Sequence, residues 1–325
     1  MTAKTDILTA PSTYVATPDD AGYDDTASKG RSVEMYRHFF KRALDILISL
    51  TALIVFSPLM LLLAVCVRIA LGGPVIFKQV RPGKGGRLFY IYKFRTMSDK
   101  RDANGELLPD ELRVTTFSRL LRKTSLDELP QIINILKGDM SLIGPRPRLV
   151  KDAVFYGSFK SLEVRPGLTG KSQVCGRNDN TWDQVFRYDA EYADNLSFGM
   201  DVSIFFRTFP ALLRSGQSEK RDNKYYPDEL LHHRIITQSQ YDEGLRVAEK
   251  IVSAFTERGE QIMREEIIRF HERLNSYEQA SKPSVTRTYP ADVAHPALGT
   301  YEKVLHGKGR ELRDEAKDER SQVSI

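Results

Sequence analysis

The chain is poor in cysteine and histidine, and this narrows the chemistry open to it. Its only cysteines among 325 residues are Cys66 and Cys175. Two distant cysteines form neither a disulfide framework nor a metal-ligand set, and they are typical of a reducing compartment. No histidine falls between residues 39 and 231. The centre of the chain therefore has no Ser-His or Cys-His pair and no His-ligated metal, unless the tails supply the histidine.

Acidic residues are outnumbered in the central region. From Lys78 to Arg148 there are 15 Lys and Arg against 8 Asp and Glu, a local excess of seven positive charges (15 − 8). The positive residues recur within turns and beside apolar strands, which suits a bound phosphate or diphosphate because arginine grips such oxygens in a bidentate way. Charge alone would also suit nucleic acid. The apolar segment attached directly to this region favours a small phosphorylated substrate, and we expect no nucleic acid partner.

The long apolar segment runs from Ile46 to Val67, 22 residues without a charge. It is long enough to cross a bilayer, which takes roughly 20 apolar residues. Ser57-Pro58 lies at its midpoint, and proline kinks or breaks a helix there, while the serine hydroxyl can satisfy a freed carbonyl. Both flanks are basic, which favours placing both in the cytoplasm. A re-entrant helix-break-helix meets these conditions, and a simple span is the competing topology.

The remaining pattern predicts an α/β, mostly helical catalytic domain, with boundaries as follows. We expect a disordered tail at 1–30, a basic collar and re-entrant membrane helix at 31–73, a catalytic domain at 74–215, a helical extension at 216–280 and a disordered tail at 281–325. Residues 75–77 and 88–92 are predicted strands joined by a basic turn. Residues 202–213 fit either a membrane-interface helix or a core helix. The amphipathic helix over 241–280 fits packing or homo-oligomerisation.

Asp127 and Glu128 are adjacent carboxylates within the basic region. Ser125 to Glu128 matches a capping box, which is a purely structural interpretation. With Asp127 as the cap, Pro130 would fall in the first helical turn, where its missing donor costs nothing. In both cases a helix start would lower the carboxylate pKa values. An ionised Asp127 suits a nucleophile toward phosphorus, and Glu128 suits a proton carrier or a ligand of Mg²⁺.

Four ordered motifs resemble the bacterial sugar transferase family, whose members are monotopic phosphoglycosyl transferases that begin exopolysaccharide, O-antigen or glycoprotein glycan synthesis. The resemblance covers about residues 36–215 and extends to Ser57-Pro58. The motifs are Lys93-Phe94-Arg95-Thr96-Met97, Ser125-Leu126-Asp127-Glu128-Leu129-Pro130-Gln131, Leu136-Lys137-Gly138-Asp139-Met140-Ser141 and Gly144-Pro145-Arg146-Pro147.

The resemblance implies transfer of a sugar-1-phosphate from a UDP-sugar to undecaprenyl phosphate, with release of UMP. It implies that Asp127 attacks the β-phosphorus and that Glu128 assists, through Mg²⁺ held by the two carboxylates or by activating the lipid phosphate. It implies a re-entrant helix in the lipid bilayer, with the catalytic domain on the cytoplasmic face of the bacterial inner membrane. The substrate-binding residues expected from these motifs and turns are Lys93, Arg95, Arg122, Arg146, Arg148 and Asp189.

Two alternatives stay open at this point. One is a non-catalytic membrane scaffold that recruits glycan-assembly enzymes through 241–280. The other is a metal-dependent glycosyltransferase of the usual kind, which the missing Asp-x-Asp motif and Gly-rich nucleotide turn disfavour. The segment 170–177 lacks a tryptophan that the family often carries, so sugar and acceptor specificity do not follow from the resemblance. Residues after Ser215 lie beyond it.

Overall fold

The computed structural model describes residues 34–176, 180–213 and 225–280. The tails predicted to be disordered, 1–30 and 281–325, lie outside the described residues. The α-helices are α1 (Lys41–Leu71), α2 (Asp110–Arg113), α3 (Thr116–Thr124), α4 (Gln131–Lys137), α5 (Val150–Tyr156), α6 (Lys171–Val174), α7 (Trp182–Asp194), α8 (Phe198–Leu213), α9 (Tyr226–His232), α10 (Gln238–Arg258) and α11 (Met263–Ala280). The strands are β1 (Ile76–Pro82), β2 (Leu88–Phe94), β3 (Ser141–Ile143) and β4 (Gly167–Thr169).

Two small sheets stand among these helices. β1 and β2 form an antiparallel hairpin in which Ile76 faces Phe94 and Pro82 faces Leu88. The hairpin confirms two strands joined by a basic turn, but β1 extends beyond the predicted 75–77 through Pro82, so the turn is shorter than the sequence predicts. β3 and β4 pair in parallel over three residues each. The mostly helical character that the sequence predicts is therefore confirmed, with short strands that place the loops of the site.

The apolar segment forms α1, which a π-helical turn (Tyr36–Phe40) precedes. Within the described residues it is the helix long and apolar enough to cross a membrane. The Ser57 hydroxyl donates to the carbonyl of Ile54 at 2.9 Å, the acceptor that the missing N–H of Pro58 leaves without its helical donor. The predicted role of Ser57 is confirmed. The predicted break is not: α1 continues through Pro58 as one helix of 31 residues.

Both halves of α1 pack on the same domain, while its middle is exposed. Near its start, Asp45 accepts hydrogen bonds from the Ser141 hydroxyl and the Leu142 amide, each at 3.0 Å. Toward its end, Val67 is fully buried beside Phe94 and Leu121. Between these contacts, apolar side chains face outward, with Ile54 67% exposed and Leu61 69% exposed.

Two residues that the sequence assigns to the basic flank of the membrane segment have partners inside the protein. Lys41 is buried and pairs with Asp201 at 2.5 Å. Arg42 donates to the carbonyls of Ile135 and Leu136 at 2.6 and 2.8 Å, and so satisfies carbonyls at the end of α4. These contacts attach α1 to the domain. Lys41 and Arg42 therefore have acceptors within the protein and do not need lipid head groups as partners.

The prediction of one continuous amphipathic helix over 241–280 is wrong in its continuity. It is two helices, α10 and α11, because Gly259 adopts a left-handed conformation (φ 70°) and ends the first. The apolar stripe is buried within the chain: Ile251 and Phe270 pack in one cluster with Val154 of α5. Oligomerisation through this region stays a prediction.

Candidate active site

The acidic pair lies in a 3₁₀ turn (Leu126–Glu128) between α3 and α4. Ser125 ends α3 in the left-handed region with φ 56° and makes no side-chain capping bond. Both capping interpretations are therefore wrong, since α4 begins only at Gln131, after Pro130. A non-glycine residue held in this conformation costs of order 1–3 kcal/mol, and such strain clusters at functional sites.

Glu128 is held by two cations. Its Oε1 lies 2.8 Å from Nζ of Lys93, on β2, and 2.6 Å from Nη2 of Arg146. Burial raises the pKa of Glu128, but the charges of Arg146 and Lys93 outweigh burial and lower this pKa to about 2. Glu128 is thus a fixed anion that orients the two cations.

Asp127 has the opposite environment. It is buried and, within the described residues, forms no ion pair. Burial and the negative charge of Glu128 raise the pKa of Asp127, and the nearby charges of Lys93 and Arg122 lower it in part. The expected lowering of both carboxylate pKa values by a helix start is therefore wrong for Asp127, and for Glu128 the pKa is lowered by Arg146 and Lys93 instead of by a helix start. An unpaired, poorly solvated carboxylate is a stronger nucleophile than one held by cations.

Arg146 reaches Glu128 because two turns pack closely. β3 ends at Ile143, and the Gly144 amide donates to Thr169 at 2.9 Å while the Gly167 amide donates to Pro145 at 2.8 Å. A Cβ at Gly144 or Gly167 would overlap the opposite backbone. Glycine at both positions therefore fixes the turn that carries Arg146.

Arg122 and Arg95, which the sequence assigns to substrate binding, form their hydrogen bonds and ion pairs with residues other than the acidic pair. Arg122 donates through Nε to the Thr96 hydroxyl at 2.9 Å. Arg95 donates to the carbonyl of Gly73 at 2.6 Å and pairs with Asp99. Arg95 thus ties the end of β2 to the segment that follows α1, whereas Arg122 contributes its charge to Asp127.

Arg148 and Asp189 form a neighbouring group. Asp189 is buried and accepts from Arg148 at 3.4 Å and from the Ser172 hydroxyl at 2.8 Å. The guanidinium of Arg148 lies 5.2 Å from the ring centroid of Trp182. Arg148 follows Arg146 by two residues but contacts different side chains. Asp189 orients the guanidinium of Arg148.

Sequence reasoning missed Arg81 as a site residue. The sequence places it in the basic turn, whereas the structure places it in β1, where it donates to the carbonyl of Pro147 at 3.2 Å and to Gln79 at 2.6 Å. Burial and the charges of Arg146 and Arg148 lower the pKa of Arg81 to about 10. No signal in the sequence separates Arg81 from the exposed Lys84 and Arg87 nearby.

The carboxylate pair offers oxygen donors of the kind that the predicted Mg²⁺ would need. The described residues contain no cluster of three or more His, Cys, Asp or Glu side chains. Mg²⁺ needs only one or two carboxylates when substrate phosphates and waters complete its shell. Both cations around Glu128 contact Oε1, which leaves Oε2 and the Asp127 carboxylate as hard oxygen donors.

The central part of the chain resembles known proteins. Residues 36–215, more than half of the chain, match the family described as Bacterial sugar transferase. "Uncharacterized sugar transferase EpsL" of Bacillus subtilis is 47% identical over 177 residues, which is 54% of this chain and 88% of the relative. "Exopolysaccharide production protein ExoY" of Rhizobium meliloti is 40% identical over 200 residues, 54% of this chain and 86% of the relative.

A third relative carries a more detailed name. "UDP-glucose:undecaprenyl-phosphate glucose-1-phosphate transferase" of Caulobacter vibrioides is 37% identical over 197 residues, 57% of this chain and 72% of the relative. The helices α9 to α11 lie beyond the residues that match the family. The matched region contains α1, the β1–β2 hairpin, the Asp127-Glu128 turn and the turn of Arg146, and the chain belongs to the bacterial sugar transferase family of enzymes.

Proposed function

We propose that this enzyme transfers a sugar-1-phosphate from a UDP-sugar to undecaprenyl phosphate and releases UMP, as the first membrane step of exopolysaccharide or surface glycan synthesis. The names of the relatives support the substrate classes. The observation that carries the chemistry is the asymmetry of the acidic pair. Glu128 is neutralised by Lys93 and Arg146, while Asp127 forms no ion pair within the described residues.

In the first step, a carboxylate oxygen of Asp127 attacks the β-phosphorus of the donor. A bond forms between this oxygen and phosphorus, and the bond from phosphorus to the oxygen bridging the two phosphates breaks. UMP leaves with the bonding electrons, and the sugar phosphate stays on Asp127 as an acyl phosphate. Splitting the transfer into two displacements is the logic of covalent catalysis.

In the second step, a phosphate oxygen of undecaprenyl phosphate attacks the same phosphorus. The bond to Asp127 breaks, the carboxylate is restored, and the lipid carries a sugar diphosphate. The enzyme therefore needs no external base, because the acceptor phosphate is already an anion.

Arg146 and Lys93 stabilise the negative charge that builds on the phosphoryl oxygens, since preorganised cations stabilise developing charge at little cost in reorganisation. Glu128 holds both in place, at 2.6 and 2.8 Å. Mg²⁺, held by Asp127 and Glu128, would neutralise the donor diphosphate when bound.

We infer that both ends of α1 lie on the cytoplasmic face. The support for this topology is that Asp45 near one end and Val67 near the other pack on the same domain, while the exposed apolar middle faces away. A cysteine-labelling scan, with Cys66 and Cys175 replaced, should find positions 37 and 78 accessible from the same side. Labelling from opposite sides would contradict the re-entrant topology.

The activity test uses the purified full chain with radiolabelled UDP-sugars, undecaprenyl phosphate and Mg²⁺. We expect UMP in the aqueous phase and label in the lipid phase, and neither with Asp127→Asn. Release of UDP instead of UMP would contradict phosphosugar transfer. A folded chain that is inactive with every donor would favour the scaffold alternative. The apolar stripe of α10 and α11 is buried within the chain, however, and leaves little apolar surface for binding other enzymes.

A further inference from the structure

The first turn of α1 contacts the segment that connects the two turns of the active site. This connecting segment runs from Gln131 to Ile143 and comprises α4, the loop 138–140 and β3. Glu128 lies three residues before it, and Arg146 lies three residues after it. The two ends of the connecting segment therefore place the two partners of the 2.6 Å ion pair.

Two side chains of α1, Arg42 and Asp45, bond directly to the connecting segment. Arg42 donates to two carbonyls in the last turn of α4, at 2.6 and 2.8 Å. Oδ1 of Asp45 accepts from the Ser141 hydroxyl and the Leu142 amide, each at 3.0 Å. Residues three apart in a helix lie on the same face, so one face of α1 contacts both α4 and β3.

Lys41, in the same turn of α1, connects to the end of β3 through buried side chains. It pairs with Asp201 of α8 at 2.5 Å. The Tyr192 hydroxyl lies 2.6 Å from Oδ1 of Asp201 and 3.0 Å from the carbonyl of Ile143. All four residues are buried, and a satisfied buried polar network is rigid. The end of β3 that leads to Arg146 is therefore fixed relative to α1.

The other half of α1 contacts the turn of the acidic pair. Val67 packs in one apolar cluster with Phe94, which follows Lys93, and with Leu126 and Leu129, on either side of the acidic pair. Closely packed protein interiors have low compressibility and transmit displacement. Both halves of α1 thus contact the elements that carry the ion pairs of the site.

From these contacts we propose that Arg42 and Asp45 are positioning residues, which set where Arg146 stands relative to the transferred phosphate. This inference rests on the proposed function, from which Arg146 takes its role. Arg42 and Asp45 act through the connecting segment and not on the substrate. A displaced cation loses the interaction that it makes in the transition state, so the effect falls on kcat and not on donor binding. The contacts of α1 thus contribute to the rate as well as to membrane attachment.

The first test measures kcat and KM for the donor that the activity test identifies, with the full chain in lipid nanodiscs. Asp45→Ala should lower kcat about tenfold to a hundredfold and change KM by less than about twofold, because it misplaces a catalytic group. Asp45→Asn should recover most of the rate, since its carbonyl oxygen accepts the same two hydrogen bonds. Ser49→Ala is the matched control. Ser49 is fully buried one turn along α1, its hydroxyl has no hydrogen-bond partner within the described residues, and its loss should leave kcat unchanged.

A double-mutant cycle separates positioning from a general loss of packing. In the Arg146→Gln protein, Asp45→Ala should lower kcat by less than about twofold, because the group that Asp45 places is already gone. The same loss of kcat in both backgrounds would overturn the inference. A loss in Asp45→Ala that falls on KM alone would overturn it as well.

A second cycle measures stability and needs no turnover. In urea unfolding, the loss caused by Glu128→Gln should be smaller in the Asp45→Ala protein than in wild type, because Arg146 no longer contacts the carboxylate. Equal losses in the two backgrounds would overturn the inference. Ser141→Ala, which removes one hydrogen bond to Asp45, replaces Asp45→Ala in both cycles if that protein does not fold. A wild type that transfers no sugar phosphate would contradict the proposed function, whereas the stability cycle tests the positioning alone.

Discussion

Glu128 and Arg146 are 18 residues apart and joined at 2.6 Å. This contact links the turn of the acidic pair to the turn that carries Arg146. Glu128→Gln should destabilise the fold by about 1–3 kcal/mol, because it leaves Lys93 and Arg146 without their anion. Glu163→Gln is the control, since its pair with Lys160 is exposed and exposed pairs contribute little. Urea unfolding in detergent compares them, and equal losses would contradict a structural role of Glu128.

The same pair predicts how stability depends on pH. The pKa of Glu128 is lowered to about 2, below its usual value of about 4.3. Its stabilising effect is therefore present above the usual value and lost as the pH falls toward 2. The advantage of wild type over Glu128→Gln should shrink across this window, and an advantage that grows in acid would contradict the assignment.

The activity should show an acid limb set by Asp127. Burial and the charge of Glu128 raise the pKa of Asp127, and the nucleophile must be ionised. The limb of kcat/KM for the donor should therefore have its midpoint above the usual Asp value of about 3.9. In Glu128→Gln one cause of the raised pKa is gone, so the limb should move to lower pH. A limb that stays in place or moves upward would exclude Asp127 as its source.

Ser57 should stabilise the helix at Pro58. Ser57→Ala leaves the Ile54 carbonyl without its donor in an apolar environment, and we expect a loss of about 1 kcal/mol. Thr51→Ala is the control, because the Thr51 hydroxyl donates to Leu47, a carbonyl already bonded within the helix. In thermal unfolding experiments in matched nanodiscs, Ser57→Ala should have a lower melting temperature than Thr51→Ala. The reverse order would contradict the contact.

The C-terminal helices should be integral to the fold. A Cβ at Gly244, on α10, would overlap the ring of Phe155, so Gly244→Ala should lower stability by about 1–3 kcal/mol through overpacking. Gly199→Ala is the control, since nothing lies near a Cβ there, and alanine in a helix is neutral or stabilising. Equal melting temperatures for the two variants would show that α10 does not pack on α5.

Local patterns predict many of the elements, because short-range chemistry determines them. Gly138 ends α4 with φ 92°, and the breaker residues between the two apolar strands give the β1–β2 hairpin. The candidate residues Asp127, Glu128, Lys93 and Arg146 follow from the motifs and lie together in the structure.

What the sequence does not predict depends on distant partners. The capping box around Ser125 is wrong because Ser125 instead ends α3. Lys41 pairs with Asp201, 160 residues away, so its place in a basic flank gave no sign of burial. Arg81 resembles its basic neighbours until the fold places it beside Arg146 and Arg148.

The central claim is that Asp127 carries the sugar phosphate. The most direct test mixes the purified chain with a UDP-sugar and Mg²⁺ but no lipid acceptor, and follows UMP release together with the intact protein mass. The account predicts a burst of one UMP per active site, a mass gain of one sugar phosphate on Asp127, and neither signal with Asp127→Asn. Turnover with the lipid acceptor by the Asp127→Asn protein, or turnover by wild type without a burst or adduct, would contradict it.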